Sequence, residues 1–309
     1  MNAQRLLVAV LAVLALAAPW FAYPVFLMTA LCFALFACAF NLLLGYVGLM
    51  SFGHAMFFGT AGYFFGHVVK AWDMPPELGL LAGVCGAALV GLVTGALAIR
   101  RQGIYFAMIT LAFAQMIYFF CVQAPFTHGE DGLQGIPRKA LLGGLIPTKD
   151  DRVLYYVVLA IFVFGYCAIY RIIHSPFGQV LKAIRDNEQR AQSLGYEADR
   201  YKLLAFVLSA ALAGLAGATK AMVLQFATLT DVSAAMSGEV VLMALVGGLG
   251  TIVGPVVGAF IIITMQNYLA ATGEFVLVIQ GAIFVVIVLA FRKGVVGELA
   301  EWWKRRQAR

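Results

Sequence analysis

Few residues in this sequence could do chemistry, and they stand inside apolar runs. Asn41, Ser51, His54, Gln115, Glu239, Gln266, Asn267 and Gln280 are the polar side chains concerned. A polar group at membrane depth is costly unless it is bonded, so each marks either a bond between helices or a contact with something that passes through. His54, beside the turn-forming run Ser51-Phe52-Gly53, is the first candidate for the second role. Covalent chemistry has no signature. HExxH, GxSxG and GxxxxGK[ST] do not occur, and Gly217-Ala218-Thr219-Lys220 lacks the spacing of a phosphate loop. Cys32, Cys38, Cys85, Cys121 and Cys167 form no CxxC pair, and all lie in apolar runs. They read as small apolar residues within helices, neither a disulfide framework nor a metal site. An intramembrane enzyme is therefore not expected. Any energy from ATP has to come from partners.

The elements that position these residues follow from composition. The chain has 309 residues, 63% hydrophobic and 12% charged, with mean hydropathy +0.92. A soluble domain carries about a quarter charged residues. With half of that, the chain needs a solvent that accepts apolar surface, and lipid is that solvent. The expectation is an all-α, polytopic membrane helix bundle of about ten passes, folded as one domain over 1–309. Candidate spans are 6–22, 24–44, 52–69, 78–99, 104–122, 153–173, 203–226, a glycine-broken region 240–270, and 275–291. The first, led by Arg5, reads as an uncleaved signal anchor because further spans follow at once.

Charge sets the orientation. The loops at Arg5, Arg100-Arg101, 171–202 and the tail 292–309 hold 15 basic and 6 acidic residues; the alternate loops, including 123–152, hold 5 basic and 9 acidic. The basic set is cytoplasmic by the positive-inside rule, and this placement beside spans, not nucleic-acid binding, accounts for the net charge of +6. For the basic tail 292–309 to return to the cytoplasm, 240–270 has to cross twice, divided at Gly247-Gly248-Leu249-Gly250. Its first leg, near 240–250, is then a short or broken helix packed within protein. Both termini are cytoplasmic and 123–152 is an outer loop. Lys220 is expected to snorkel outward.

The polar stretch 174–201 separates two strong spans on the cytoplasmic side. Ser175 suits an N-cap, Pro176 the first helical position and Gly195 a C-cap. Leu181, Ile184, Ala191 and Leu194 fall at helical spacing, which predicts one short amphipathic helix. It could lie on lipid headgroups, form a plain loop, or set its apolar stripe into a groove on a cytoplasmic partner. The mixed charge favours the partner. Elsewhere Gly250, Gly254 and Gly258 recur every four residues, as small residues do at helix contacts or along a broken-helix substrate path. Gly53, Gly59, Gly62 and Gly66 pose the same choice.

Taken in order, Asn41-Leu42-Leu43-Leu44-Gly45-Tyr46-Val47-Gly48-Leu49-Met50-Ser51-Phe52-Gly53-His54-Ala55, Arg101-Gln102-Gly103-Ile104-Tyr105-Phe106-Ala107-Met108, the run from Gly178 to Gly195, and Gly247 to Ala259 resemble the branched-chain amino-acid permease family, of the LivM type. The resemblance covers nearly the whole chain. It implies a type II importer permease fold without a cofactor of its own, in the bacterial inner membrane. It also implies a second, LivH-type permease, two ATP-binding-cassette subunits holding ATP and Mg, and a periplasmic substrate-binding protein. Gly178, Leu181, Ala183, Ile184, Arg185, Asn187, Glu188, Ala191, Leu194 and Gly195 then belong to the segment gripped by the ATPases. Asn41, Ser51, Gly53, His54, Gly248, Gly250, Thr251 and Gly254 are candidates for the translocation path. The implied substrates are leucine, isoleucine or valine, with urea, amides and aromatic acids carried by related permeases. An ion-coupled carrier or channel is the alternative.

Overall fold

The computed structural model describes residues 16–269 except 145, together with 278–279, 281–282, 284–285 and 294–298. Residues 1–15, Gln280, most of the expected last span 275–291 and most of the basic tail lie outside the described residues. The principal helices among the described residues are α1 Pro24–Val47, α2 Ala55–Lys70, α3 Pro76–Ala98, α4 Ile104–Gln123, α5 Asp151–His174, α6 Pro176–Asp186, α7 Glu188–Ser193, α8 Ala198–Leu224, α9 Ala234–Gly247 and α10 Gly254–Leu269. Five of them (α1, α3, α4, α5 and α8) are long and apolar enough to cross a membrane; α9 and α10 are shorter apolar helices. At 1.5 Å per residue α1 reaches about 36 Å, more than the hydrocarbon core, while α9 reaches only about 21 Å.

Burial sorts the helices. α1 is enclosed over most of its length, and α8 and α2 are largely buried, whereas α3, α4 and α5 turn wide apolar faces outward, as at Leu89, Leu97, Phe119 and Phe164. The two layers have a steric basis. Glycine and alanine on α2, α3 and α8 let backbones meet: a Cβ on Gly217 would strike the Phe58 carbonyl, and one on Gly83 would lie 2.9 Å from Ala61 O. Close backbone approach between small residues replaces the hydrophobic drive that lipid cannot supply.

The bundle has two ends. At one lie the C-terminus of α1, α6, α7 and the α9–α10 turn; Gly294, near the chain end, also lies against Gly248. At the other lie the C-termini of α2 and α8, the 123–150 loop and a 3-10 turn at Leu229–Val232. The loop is bonded there: Leu133 and Ala227 exchange backbone hydrogen bonds, Lys70 Nζ donates to Gln134 O, and Arg138 pairs with Asp151 at 2.6 Å.

Candidate functional site

The 174–201 stretch folds as expected at its ends and differently in its middle. Ser175 caps α6, its Oγ accepting from Gly178 N at 3.2 Å, with Pro176 in the first turn. Gly195, at φ +90°, ends α7: its N–H donates to Gln192 O, and Tyr196 N donates to Ala191 O. That paired closure satisfies carbonyls a helix end leaves open, and it needs a left-handed residue at Gly195. In place of one helix, two meet at Asn187, which adopts an extended conformation and caps α7 by accepting from Arg190 N at 2.9 Å. Asparagine competes for backbone donors in this way, so a helix break there has a local cause.

The expected apolar stripe is also redirected. Leu181, Ile184 and Ala191 are buried within this chain, and only Leu194 stays exposed. Gly178 sits so close to the end of α5 that a Cβ would meet the carbonyls of Ile172 and Ile173. Glu188, partly exposed, is bonded at 2.5 Å to the buried Lys202 of α8. The stripe therefore anchors the elbow to its own bundle. The face left outward carries Ala183, Asp186, Gln189, Arg190 and Leu194. A groove of about 530 Å³ lined by Phe177, Val180, Tyr196, Arg200 and Tyr201 opens beside it.

Above the elbow, the α9–α10 turn is held on α1. Asn41 Nδ2 donates to Thr251 O at 2.8 Å, and its Oδ1 accepts from Gly250 N at 3.0 Å. The turn is partly buried at this end of the bundle, and one asparagine side chain serves both a donor and an acceptor of its backbone. Thr251 Oγ donates to Gly248 O and accepts from Gly254 N, so it caps α10. Gly250 lies in the turn at φ +73°, not on a helix face with Gly254 and Gly258. Those two glycines instead face α9: a Cβ on Gly258 would strike Met243 O, and one on Gly254 would lie 2.8 Å from Gly247 O.

The other path candidates gather where α2 begins. His54 has no exposed surface. Its ring lies among Phe36, Phe40 and Phe57, and Nε2 is 3.0 Å from Ser209 Oγ, which also donates to Ala39 O. Ser51 Oγ accepts from Gly53 N, and a Cβ on Gly53 would collide with Thr110 O of α4. Asn41, Gly248, Gly250, Thr251 and Gly254 form one cluster; Ser51, Gly53 and His54 form a second. A groove of about 470 Å³ runs along α9 past Thr230, Ser233, Gly238, Glu239 and Leu242.

Lys220 does not snorkel. It forms an ion pair with Asp231, both side chains nearly enclosed, with the rings of Phe33, Phe58 and Phe226 within 6 Å of its ammonium. Asp231 supplies the countercharge a buried lysine needs, and the rings add cation–π attraction. Asp231, Ser209, Ser237, Lys202 and Gly45 were not read from sequence as site residues. Gly45 alone had a signal, lying four residues from Asn41 and so on the same face of α1. Among the described residues no group of three His, Cys, Asp or Glu could hold a metal ion.

The comparisons with known proteins agree with this architecture. Residues 24–288 match the family model described as branched-chain amino acid transport system / permease component. The chain is similar to the high-affinity branched-chain amino acid transport system permease protein LivM of Escherichia coli, 27% identical over 276 residues, covering 81% of this chain and 64% of that protein. It is similar to a probable LivM of Methanocaldococcus jannaschii, 23% identical over 210 residues, covering 57% and 60%. It is also similar to the ribose import permease protein RbsC of Bacillus subtilis, 31% identical over 174 residues, covering 52% and 50%. The chain spans less than two thirds of the length of these relatives. No solved structure matches.

Proposed function

The chain belongs to the branched-chain amino acid transport permease family, and from that premise we propose that it is the membrane permease subunit of an ATP-driven importer for leucine, isoleucine and valine. Two ATPase subunits, holding ATP and Mg, grip the outward face of the elbow. A second, LivH-type permease completes the pore, and a periplasmic protein delivers the substrate to the loop end of the bundle. The elbow end is cytoplasmic, and the protein lies in the inner membrane with both termini inside.

The observation that carries this reading is the elbow itself. Its apolar side is consumed by the bundle, and its outward side, at Ala183, Asp186, Gln189, Arg190 and Leu194, has no covering element among the described residues. A lever needs this arrangement, because a push on one side has to be met by rigid attachment on the other. The groove along α9 is the proposed wall of the substrate path. The ribose permease among the relatives makes sugar the competing substrate class.

The test is uptake into proteoliposomes holding the assembled complex with ATP inside. Labelled leucine should enter only with ATP and the binding protein, and excess ribose should not compete. Uptake by this chain alone, driven by an ion gradient without ATP, would sink the proposal.

A further inference from the structure

We propose that Arg185 and Asn41 form a transmission clamp, bonding the elbow, the end of α1 and the α9–α10 turn into one unit that carries elbow motion to the turn. The inference rests on the reading of the chain as a motor-driven permease and adds which residues of this chain pass the motion on.

The geometry converges on one turn of α1. Arg185, at the end of α6, donates from Nη1 to Gly45 O at 2.5 Å, while its Nε and Nη2 donate to Asp186 Oδ1 at 3.2 and 3.0 Å. Asp186 thus fixes the guanidinium plane. The carbonyl it meets lies in the last turn of α1, where helix carbonyls need outside partners and the helix dipole favours a cation. The arginine stem lies on Gly48, where a Cβ would stand 2.9 Å from Arg185 Cγ.

From the other side the α9–α10 turn closes on the same residue. A Cβ on Gly45 would lie 2.7 Å from Gly250 N, and one on Gly250 would lie 3.9 Å from Arg185 Nη1. One helical turn earlier, Asn41 bonds both Gly250 N and Thr251 O. Three elements distant in sequence thereby meet through directional bonds.

Direction matters for transmission. Apolar faces slide past one another at little cost, whereas a charge-assisted bond in series with a bidentate amide resists displacement. The unit continues beyond the turn. Ser237, on α9, accepts at Oγ from Ala55 N at the start of α2, 3.0 Å away. Other elbow attachments, the Glu188–Lys202 ion pair and the close packing of Gly178 on the end of α5, lead elsewhere. Arg185 is partly exposed and shares Asp186 with the outward face, but its bond to Gly45 makes it a positioning residue.

The experiment uses the assembled complex, with ATP hydrolysis and leucine uptake measured on the same preparation. Arg185→Ala and Asn41→Ala should each lower leucine moved per ATP hydrolysed by about ten-fold, the scale of losing a charge-assisted or paired hydrogen bond from the moving unit. For Asn41→Ala, which lies away from the outward face of the elbow, hydrolysis rate and retention of the motor subunits should not change. Arg185→Lys, which keeps the charge without the fork, should fall between. Spin labels at Gln179→Cys and Leu249→Cys, with exposed Cys85 and Cys167 changed to serine, give a second readout. Their separation should be the same with and without trapped ATP in the otherwise native protein, and should change with nucleotide once Arg185→Ala is added. Unaltered leucine per ATP in both alanine variants overturns the clamp. So does a nucleotide-dependent label distance in the native protein, which decides the matter even if a variant does not assemble. Absence of ATP-driven uptake by the native complex would instead overturn the functional reading itself.

Discussion

At the residue scale, the clearest energetic statement concerns Lys220 and Asp231. Each charge is buried, so removing one leaves the other without its counterion in a low-dielectric site. Lys220→Met alone should destabilise the protein by about 3–5 kcal/mol, whereas Lys220→Met with Asp231→Leu should recover most of that loss. Thermal unfolding in detergent measures both, and an unstable double variant would show that the pair does more than neutralise itself. Lys220 was legible as an intramembrane charge, but its partner was not. Asp231 lies eleven residues on, across the end of α8, and only the reversal of the chain there brings the two together. His54 is a similar case: the sequence shows a polar residue near a turn, and packing decides that three phenylalanine rings and Ser209 surround it.

At the element scale, the elbow and the α9–α10 hairpin carry the next expectations. Asn187→Ala removes the cap of α7 and should cost about 1 kcal/mol, enough to fray a six-residue helix. Faster amide exchange confined to Glu188–Ser193 would be its sign, and unchanged exchange would count against Asn187 as the break. Gly258→Ala pushes a methyl group into the Met243 carbonyl and should destabilise by about 1–3 kcal/mol as α9 and α10 separate. Gly238→Ala, with open space beside it, should show no such loss in the same melting assay. Glycine spacing alone could not separate these cases, because spacing shows that a face is small without showing what approaches it.

At the scale of the whole molecule, the alternation of the helices fixes which loops share an end. A single cysteine at exposed Ala183 should react with an impermeant maleimide only in inside-out vesicles, and one at exposed Gln134 only in right-side-out vesicles. Labelling of both from the same side would break the proposed orientation. Hydropathy was enough to read the membrane class, most span positions and the break of 240–270 at its glycines, because lipid demands long apolar helices and glycine interrupts them. The caps at Ser175 and Gly195 were legible for a local reason: N-cap and left-handed positions favour particular residue types wherever they occur. The tertiary structure alone decided that Leu181 and Ile184 face their own bundle, that Arg185 reaches Gly45, and that Asn41 holds a turn some 210 residues away. Burial and directional bonding depend on which surfaces meet, and no local pattern in a chain records its distant neighbours.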